Sequence, residues 1–430
     1  MLCAGCNKEQ GSTPNSTPES SAVQDGEPSA PESSTPEDAG TPEEWTELSQ
    51  TEVTAAMGMG WNLGNQLEAS SNGTPSEKAW NNYRIEPDLL KLVKENGFST
   101  VRIPVSYLSM IGSAPDYTID KEWLDRVEEV VNYVLDNDMF AIINMHGDGY
   151  YTVDGGWLLC AEDDDKQVEI KAKYEAVWRQ IADRFKNYDE HLIFESMNEE
   201  FDGTYGNPNE KAYQNINAYN QLFVDTVRKT GANNTKRWLL MPGWNTNVQY
   251  TTGDFGFVIP EDTLCESPDK RLMISVHYYD PYNFTINETK GEYKTQWGKY
   301  AVEDIERSCN ETYVNAVMMK LNQSFVSQGY PVVIGELGVQ DKSVAAEYFP
   351  EFRRYWTECV VNAAKNQGCI PVYWDNGYNG DKGFGLFDRV KFTVTQPELI
   401  EAMIRAINAE GEYEIAPPAG FEKEEESDVA

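Results

Sequence analysis

Residues 140–199 contain FAIINM (140–145), a Gly- and Asp-rich stretch, VEIKAKYEAVWRQIADRF (168–185) and LIFESMNE (192–199). The two outer runs are short and apolar, which suits strands buried on both faces. The middle run repeats apolar side chains at Tyr174, Val177, Trp178, Ile181 and Phe185, the spacing of one helix face. Strand, crossover helix and strand together make the unit of a parallel sheet.

The same alternation extends in both directions. Strand-like runs stand at Met59–Leu63, Thr100–Val105, Phe140–Met145, Leu192–Met197, Trp238–Met241, Met273–Tyr278, Val332–Gly335 and Ile370–Trp374. Helical spacing marks Lys121–Leu135, Val168–Phe185, Asn209–Thr230, Thr312–Gln328, Val344–Lys365 and Gln396–Asn408. Only Val248–Asp269, rich in Gly, Pro, Thr and Asp, gives no clear helix. Eight such runs predict an α/β fold of the (β/α)8 TIM-barrel type. A doubly wound open sheet is the rival, but no GxGxxG or GxxxxGK[ST] follows the first strand, which removes its nucleotide-binding version.

Composition narrows the partners. The 430 residues carry a formal charge of −36, which excludes a basic footprint for nucleic acid and argues against docking on anionic lipid. No run of 18 apolar residues exists, so no transmembrane span is expected. Residues 1–44, mostly Ser, Thr, Pro, Glu, Gly and Ala, read as a flexible tether, and 411–430 as an acidic flexible tail. Near the start, Ala4-Gly5-Cys6 before a Ser/Thr-rich linker resembles the lipobox of bacterial lipoproteins. That resemblance implies a lipid anchor through Cys6 and an extracellular or cell-surface location. The apolar h-region of a signal peptide is not in front of it, so incidental cysteines are the alternative. Of the other cysteines, Cys160, Cys265, Cys309, Cys359 and Cys369, none forms a CxxC or Cys/His cluster. Pairing of Cys265 with Cys309, or Cys359 with Cys369, stays open.

Ligands of such a barrel sit at the carboxyl ends of its strands. Asn62 and Asn65 follow strand one, Arg102 lies in strand two, and Asn144 and His146 end strand three. Asn198 and Glu199 end strand four, His277 and Tyr279 strand six, Glu336 strand seven, and Trp374 strand eight. Strands four and seven face each other across the mouth, so Glu199 and Glu336 form an opposed carboxylate pair, the minimal equipment for cleaving a glycosidic bond. Glu195 and Glu200 are expected to turn away from the Glu199 side and to be structural. With only three His in the chain, a His metal cluster is not available, and neither metal nor organic cofactor is needed.

The ordered pieces Gly60-Trp61-Asn62-Leu63-Gly64-Asn65, Val101-Arg102-Ile103-Pro104-Val105, Asn144-Met145-His146, Met197-Asn198-Glu199, His277-Tyr278-Tyr279, Ile334-Gly335-Glu336 and Tyr373-Trp374-Asp375-Asn376-Gly377 continue through Phe384–Arg389. They resemble glycoside hydrolase family 5, the cellulase family of clan A, over roughly residues 45–410. The stretch Gly243–Asn247 is similar to the subgroup of endoglucanases, xyloglucanases and lichenases. The resemblance implies a retaining catalytic domain over 45–410, acting as an endo-β-1,4-glucanase on a β-linked polysaccharide. It makes Glu199 the acid/base and Glu336 the nucleophile, with Asn198, Arg102, His277 and Tyr279 in support and His146 and Trp374 binding sugar. Asn65 and Trp157 are further binding candidates, the latter because its Gly-flanked loop reads as an exposed turn. Gly147-Asp148 stands where the family often has a second His, and Glu200 where Pro is common. Xyloglucanase, lichenase, β-mannanase and xylanase are the near alternatives, and a non-catalytic carbohydrate-binding barrel the remote one. A monomer is expected.

Overall fold

Eight parallel strands close into a barrel in the computed structural model, which describes residues 45–303, 306 and 308–422. They are β1 (Gly60–Asn62), β2 (Thr100–Ile103), β3 (Phe140–Asn144), β4 (Leu192–Glu195), β5 (Leu239–Asn247), β6 (Leu272–Tyr278), β7 (Val332–Leu337) and β8 (Cys369–Tyr373). Each pairs with its sequence neighbour and β8 closes on β1, with Gly60 opposite Val372. All eight predicted strands are therefore present, and no doubly wound sheet forms. The helices are α1 (Gln50–Met57), α2 (Pro87–Glu95), α3 (Lys121–Leu135), α4 (Asp164–Phe185), α5 (Glu210–Lys229), α6 (Val248–Thr252), α7 (Tyr282–Thr285), α8 (Glu311–Ser324), α9 (Phe349–Asn366) and α10 (Pro397–Asn408). The fifth crossover has only the five-residue α6, as its composition predicts.

Local chemistry sets the helix starts. Asp120, Asp163 and Asn209 each accept a backbone N–H from the first turn of α3, α4 and α5. Ser49 and Glu52 form a reciprocal capping box on α1.

Alternation along the strands sorts the core into two bodies. Residues pointing outward, such as Val101, Ile103, Ala141, Ile143, Phe194 and Ile334, pack under the helices. Those pointing inward at the amino-terminal end, including Phe140, Ile142, Ile193, Leu240, Met273 and Val333, fill the barrel and are covered by Val53 and Met57 of α1. Toward the other end the inward positions turn polar: Asn144 follows Ile142, Glu195 follows Ile193, and Ser275 and His277 follow Met273.

The flexible tail expected over 411–430 does not hold over 411–422. Phe421 packs on Phe352 and Tyr348 at ring-centroid distances of 4.8 and 5.2 Å, the Tyr413 hydroxyl bonds Glu358, and Arg354 donates to the carbonyls of Ala416 and Pro417. Isolated aromatics in a polar run carry no periodic signal, yet Tyr413 and Phe421 each find a seat on α9. The tether 1–44, its Cys6 and residues 423–430 lie outside the described residues. Among the described residues no helix is long and apolar enough to cross a membrane, and Cys160, Cys265, Cys309, Cys359 and Cys369 are free thiols.

Candidate active site

Arg102, fully buried on β2, organises the mouth of the barrel. Its Nε donates to Glu195 at 2.7 Å, Nη1 to Asn62 at 3.1 Å and to Glu336 at 3.0 Å, and Nη2 to Asn198 at 2.7 Å. A guanidinium stripped of water must fill its donors, and this fork does so with two carboxylates and two amides. Burial opposes its charge, but Glu195 and then Glu336 outweigh that and raise its pKa. Glu195 in turn accepts from Asn144 at 3.0 Å and Ser275 at 2.6 Å. The expectation that Glu195 turns away from the site is thus wrong. Glu195 stands one inward step above Ile193, and it is the lower anchor of the network.

Glu336 owes its position to a bulge. Val276 pairs with Ile334, but the next residue of β6, His277, pairs with Glu336, so Gly335 is the extra residue in β7. A Cβ at Gly335 would lie 3.2 Å from Nε2 of His277, which leaves little space for a larger residue there. Glu336 accepts from Arg102 at 3.0 Å and from the Tyr279 hydroxyl at 3.0 Å. Burial, and then the charge of Glu336, push the Tyr279 pKa well up, so this hydroxyl stays a donor.

Glu199, beyond the end of β4, is more open: its side chain keeps 25% exposure against 8% for Glu336. His277 Nδ1 lies 2.7 Å from its Oε1, and the Tyr150 hydroxyl lies 3.5 Å from Oε2. Asn198, its Oδ1 fixed by Arg102, donates from Nδ2 to that Tyr150 hydroxyl at 2.5 Å. His146 and Trp374 stack beside this group, with centroids 6.0 Å apart and planes at 11°. Burial, then Arg102 and His277, push His146 well below its ordinary range, so the ring is neutral.

An oxygen of Glu199, an oxygen of Glu336 and a ring nitrogen of His277 all lie within 4.8 Å of one another. Retaining glycosidases hold their two carboxyls about 5–5.5 Å apart, while inverting ones leave about 6.5–9.5 Å for a water. The short spacing fits double displacement. Burial disfavours charge on both acids. At Glu199 the His277 contact outweighs it and pulls the carboxyl down, while at Glu336 burial wins and pushes it up. Two groups this close titrate as a pair. Donor chemistry decides which one carries the shared proton at the moment of reaction. Arg102 and Tyr279 donate to Glu336, so each contact favours its anion. His277 Nδ1 can accept as well as donate, so Glu199 can hold a proton and keep its partner.

The structure thus brings Glu199, Glu336, Arg102, Asn198, His277 and Tyr279 together, with His146 and Trp374 alongside. Two expected binding residues make their contacts with other groups. Trp157 is not an exposed platform: it is half-buried, its Nε1 donates to Asp148 at 2.7 Å, and Lys173 Nζ lies 4.2 Å from its ring centroid. Asn65 occupies a left-handed turn (φ 60°), its N–H bonding Glu68 and its carbonyl accepting from Asn82. Of the other tryptophans at the strand ends, Trp61, Trp244 and Trp297 are core residues, whereas Trp80 is 48% exposed. Sequence reasoning missed Tyr150; its place four residues beyond His146, in a Gly-rich loop after β3, was the available signal. Asp148 holds that loop by accepting from the N–H groups of Tyr107 and Leu108 and from Trp157.

A (β/α)8 barrel carrying a close glutamate pair at the ends of β4 and β7, one held by arginine and tyrosine and the other by histidine, defines a retaining glycoside hydrolase. The chain belongs to the cellulase family, glycosyl hydrolase family 5, whose pattern matches residues 62–380. It is 50% identical over 366 residues to Endoglucanase A of Paenibacillus barcinonensis, covering 84% of this chain and 90% of the relative. A solved family 5 xyloglucanase from Paenibacillus pabuli is 50% identical, with a TM-score of 0.80, covering 83% of this chain and all (100%) of that one. A glycoside hydrolase 5 lichenase from Caldicellulosiruptor sp. F32, solved with cellotetraose, is 34% identical with a TM-score of 0.73, over 87% and 99% of the two chains.

Proposed function

We propose that the protein is a retaining endo-β-1,4-glucanase that hydrolyses internal glucosidic bonds of cellulose or related β-glucans. The spacing of Glu199 and Glu336 carries the reading. Protonated Glu199 donates to the leaving glycosidic oxygen while anionic Glu336 attacks the anomeric carbon, giving a covalent glycosyl-enzyme. Glu199 then deprotonates the incoming water. Unassisted acetal hydrolysis is so slow that the site must supply well over ~10 kcal/mol of transition-state stabilisation. Neutral His146 and Trp374 offer a ring face and a hydrogen-bonding edge to the sugar before the scissile bond.

The curated relatives and solved neighbours at 50% identity include an endoglucanase and a xyloglucanase, which supports a glucan main chain and makes xyloglucan the second reading. Product profiles on carboxymethyl-cellulose, xyloglucan, lichenan, xylan and glucomannan decide between them, and proton NMR of the first product tests the stereochemistry. The expected product is the β-hemiacetal, and an α-configured one refutes the mechanism.

The composition of residues 1–44 and the Ala4-Gly5-Cys6 sequence support a further part of the proposal: an enzyme tethered outside the cell by a lipid on Cys6. Cell fractionation with and without Cys6→Ser tests it, and equal release of both proteins into the medium removes the anchor.

A further inference from the structure

A helix of one turn leaves its last carbonyls without partners of its own, and α7 takes its donors from the loop of another strand. The chain that continues β7 past Glu336 supplies them. Gln340 donates its N–H to the Thr285 carbonyl at 3.0 Å and its Nε2 to Glu288 at 2.8 Å. Lys342 Nζ donates to the carbonyls of Phe284 and, at 3.5 Å, Asn283. Lys342 is the unusual member of this group. It is 3% exposed, and carbonyls rather than a carboxylate take its donors. An ammonium buried in this way is costly, and a methionine would fill a similar volume without that cost. Such a charge needs a reason.

The contacts close a ring that includes the nucleophile. β6 ends at Tyr278, so no strand ladder fixes Tyr279, and the turn that follows sets its direction. In that turn the buried Thr285 hydroxyl bonds the Tyr279 carbonyl and lies 3.1 Å from that of Pro281. The Tyr279 hydroxyl donates to Glu336 at 3.0 Å. From Glu336 the chain returns through Gln340 and Lys342 to α7. The aim of Tyr279 is therefore set at the far side of the ring, where Lys342 grips α7.

We propose that Lys342 is a positioning residue for the nucleophile: its buried ammonium clamps α7 to the loop after β7 and so holds the Tyr279 hydroxyl on Glu336. The inference rests on the reading of Glu336 as nucleophile and deepens it, since Lys342 acts through Tyr279 rather than on the sugar. The charged and titratable groups around the ammonium are few. Glu288 follows α7 and is 3.6 Å from Lys382 on the loop after β8, and Arg353 on α9 is 3.9 Å from Asp341. The Tyr293 ring centroid lies 5.6 Å from Nζ. Burial lowers the Lys342 pKa, Glu288 opposes that and Arg353 adds to it, which brings it down to about 7. Below that pH the clamp is charged. Above it the neutral amine makes weaker, uncharged hydrogen bonds.

The test uses the full chain and an aryl β-cellobioside, whose kcat/KM reports formation of the glycosyl-enzyme. At pH 5.5, Lys342→Met lowers kcat/KM roughly tenfold, mainly through kcat, because a small misplacement of Tyr279 is felt at the reacting carboxyl. The ratio of wild type to Lys342→Met shrinks toward pH 8.5, where wild type loses its own charge. In a Tyr279→Phe background the same substitution costs less than about twofold, since the hydroxyl it aims is gone. Thr285→Val cuts the ring without removing a charge and shows the same dependence on the Tyr279 hydroxyl, so the path stays testable if Lys342→Met folds poorly. Equal losses with and without that hydroxyl, or a ratio flat between pH 5.5 and 8.5, overturn the clamp alone. A Glu336→Gln enzyme as active as wild type overturns the nucleophile reading, and this inference with it.

Discussion

The two ends of one barrel are built from the same strands and differ by a step of two or three residues. At the amino-terminal end the inward side chains are Phe140, Ile142, Ile193, Leu240, Met273 and Val333, closed off by α1. At the carboxyl-terminal end the same strands present Asn144, Glu195, Ser275, His277 and Glu336, bound into one network around Arg102. The lower half is held by non-directional apolar burial, which needs only volume. The upper half is held by charged hydrogen bonds that fix geometry but return little net stability, because desolvating the ions costs about as much as pairing them gains. Stability and chemistry are therefore separable along the barrel axis, and substitutions in the two halves should fail in different ways.

The largest effect falls on Glu336. Glu336→Gln keeps the shape and the Tyr279 contact but cannot form the covalent intermediate, so turnover drops by several orders of magnitude on every glucan. Melting should change little, since a buried charge has been removed along with half of its pairing. A loss of turnover accompanied by collapse of the fold would break the separation between the two halves.

Next is Glu199→Ala, which removes proton transfer, a contribution of about 10²–10⁴-fold. An aryl cellobioside with an acidic phenol should still form the glycosyl-enzyme and then stall, and added azide should restart it and yield the β-glycosyl azide. Absence of azide rescue would take the acid/base role from Glu199.

In the lower half, Ile142→Ala should lower unfolding stability by about 2–5 kcal/mol, read from urea midpoints, with kcat per folded molecule within about twofold of wild type. Ile142 is fully buried and one inward step below Asn144. A large fall in kcat at full occupancy of the fold would show that the floor also tunes the mouth.

The contrast also explains what could be read in advance. The lower half obeys periodicity, so all eight strands and the main helices were legible, with α3 recovered to its ends. The reacting pair was legible too, because carboxylates are costly at the end of an apolar strand and therefore conspicuous. What escaped depended on long-range contact rather than pattern. Glu195 is committed to the site by Arg102, 93 residues away. Trp157 lost its exposed role to Lys173 and Asp148, and Phe421 found its seat on Phe352. The bulge at Gly335 that aims Glu336 is a register shift between two strands, which a single strand's sequence does not record.

The last effect is a pH dependence, nil at pH 4, and concerns an acid of the mouth that behaves like the floor. Glu200 is fully buried, and neither of its carboxyl oxygens has a hydrogen-bond partner. It lies against Gly149, where a Cβ would fall 1.8 Å from both oxygens. Burial, then Asp148 and Glu199, push its pKa well up, so it stays protonated in the folded protein. The unfolded chain releases that proton above about pH 4.3. From there upward the folded state holds more protons than the unfolded one, and stability falls with rising pH until Glu200 ionises in the fold. One such proton is worth about 1.4 kcal/mol per pH unit. Gln carries no proton to release, so Glu200→Gln escapes this penalty. Melts at pH 4, 5, 6, 7 and 8 should show the variant's Tm gaining on wild type as pH rises. Other raised acids, such as Glu68 at about 7, affect both proteins alike and drop out of the difference. A constant offset across the series would mean that Glu200 is ionised or paired, and that the mouth contains no floor-like acid.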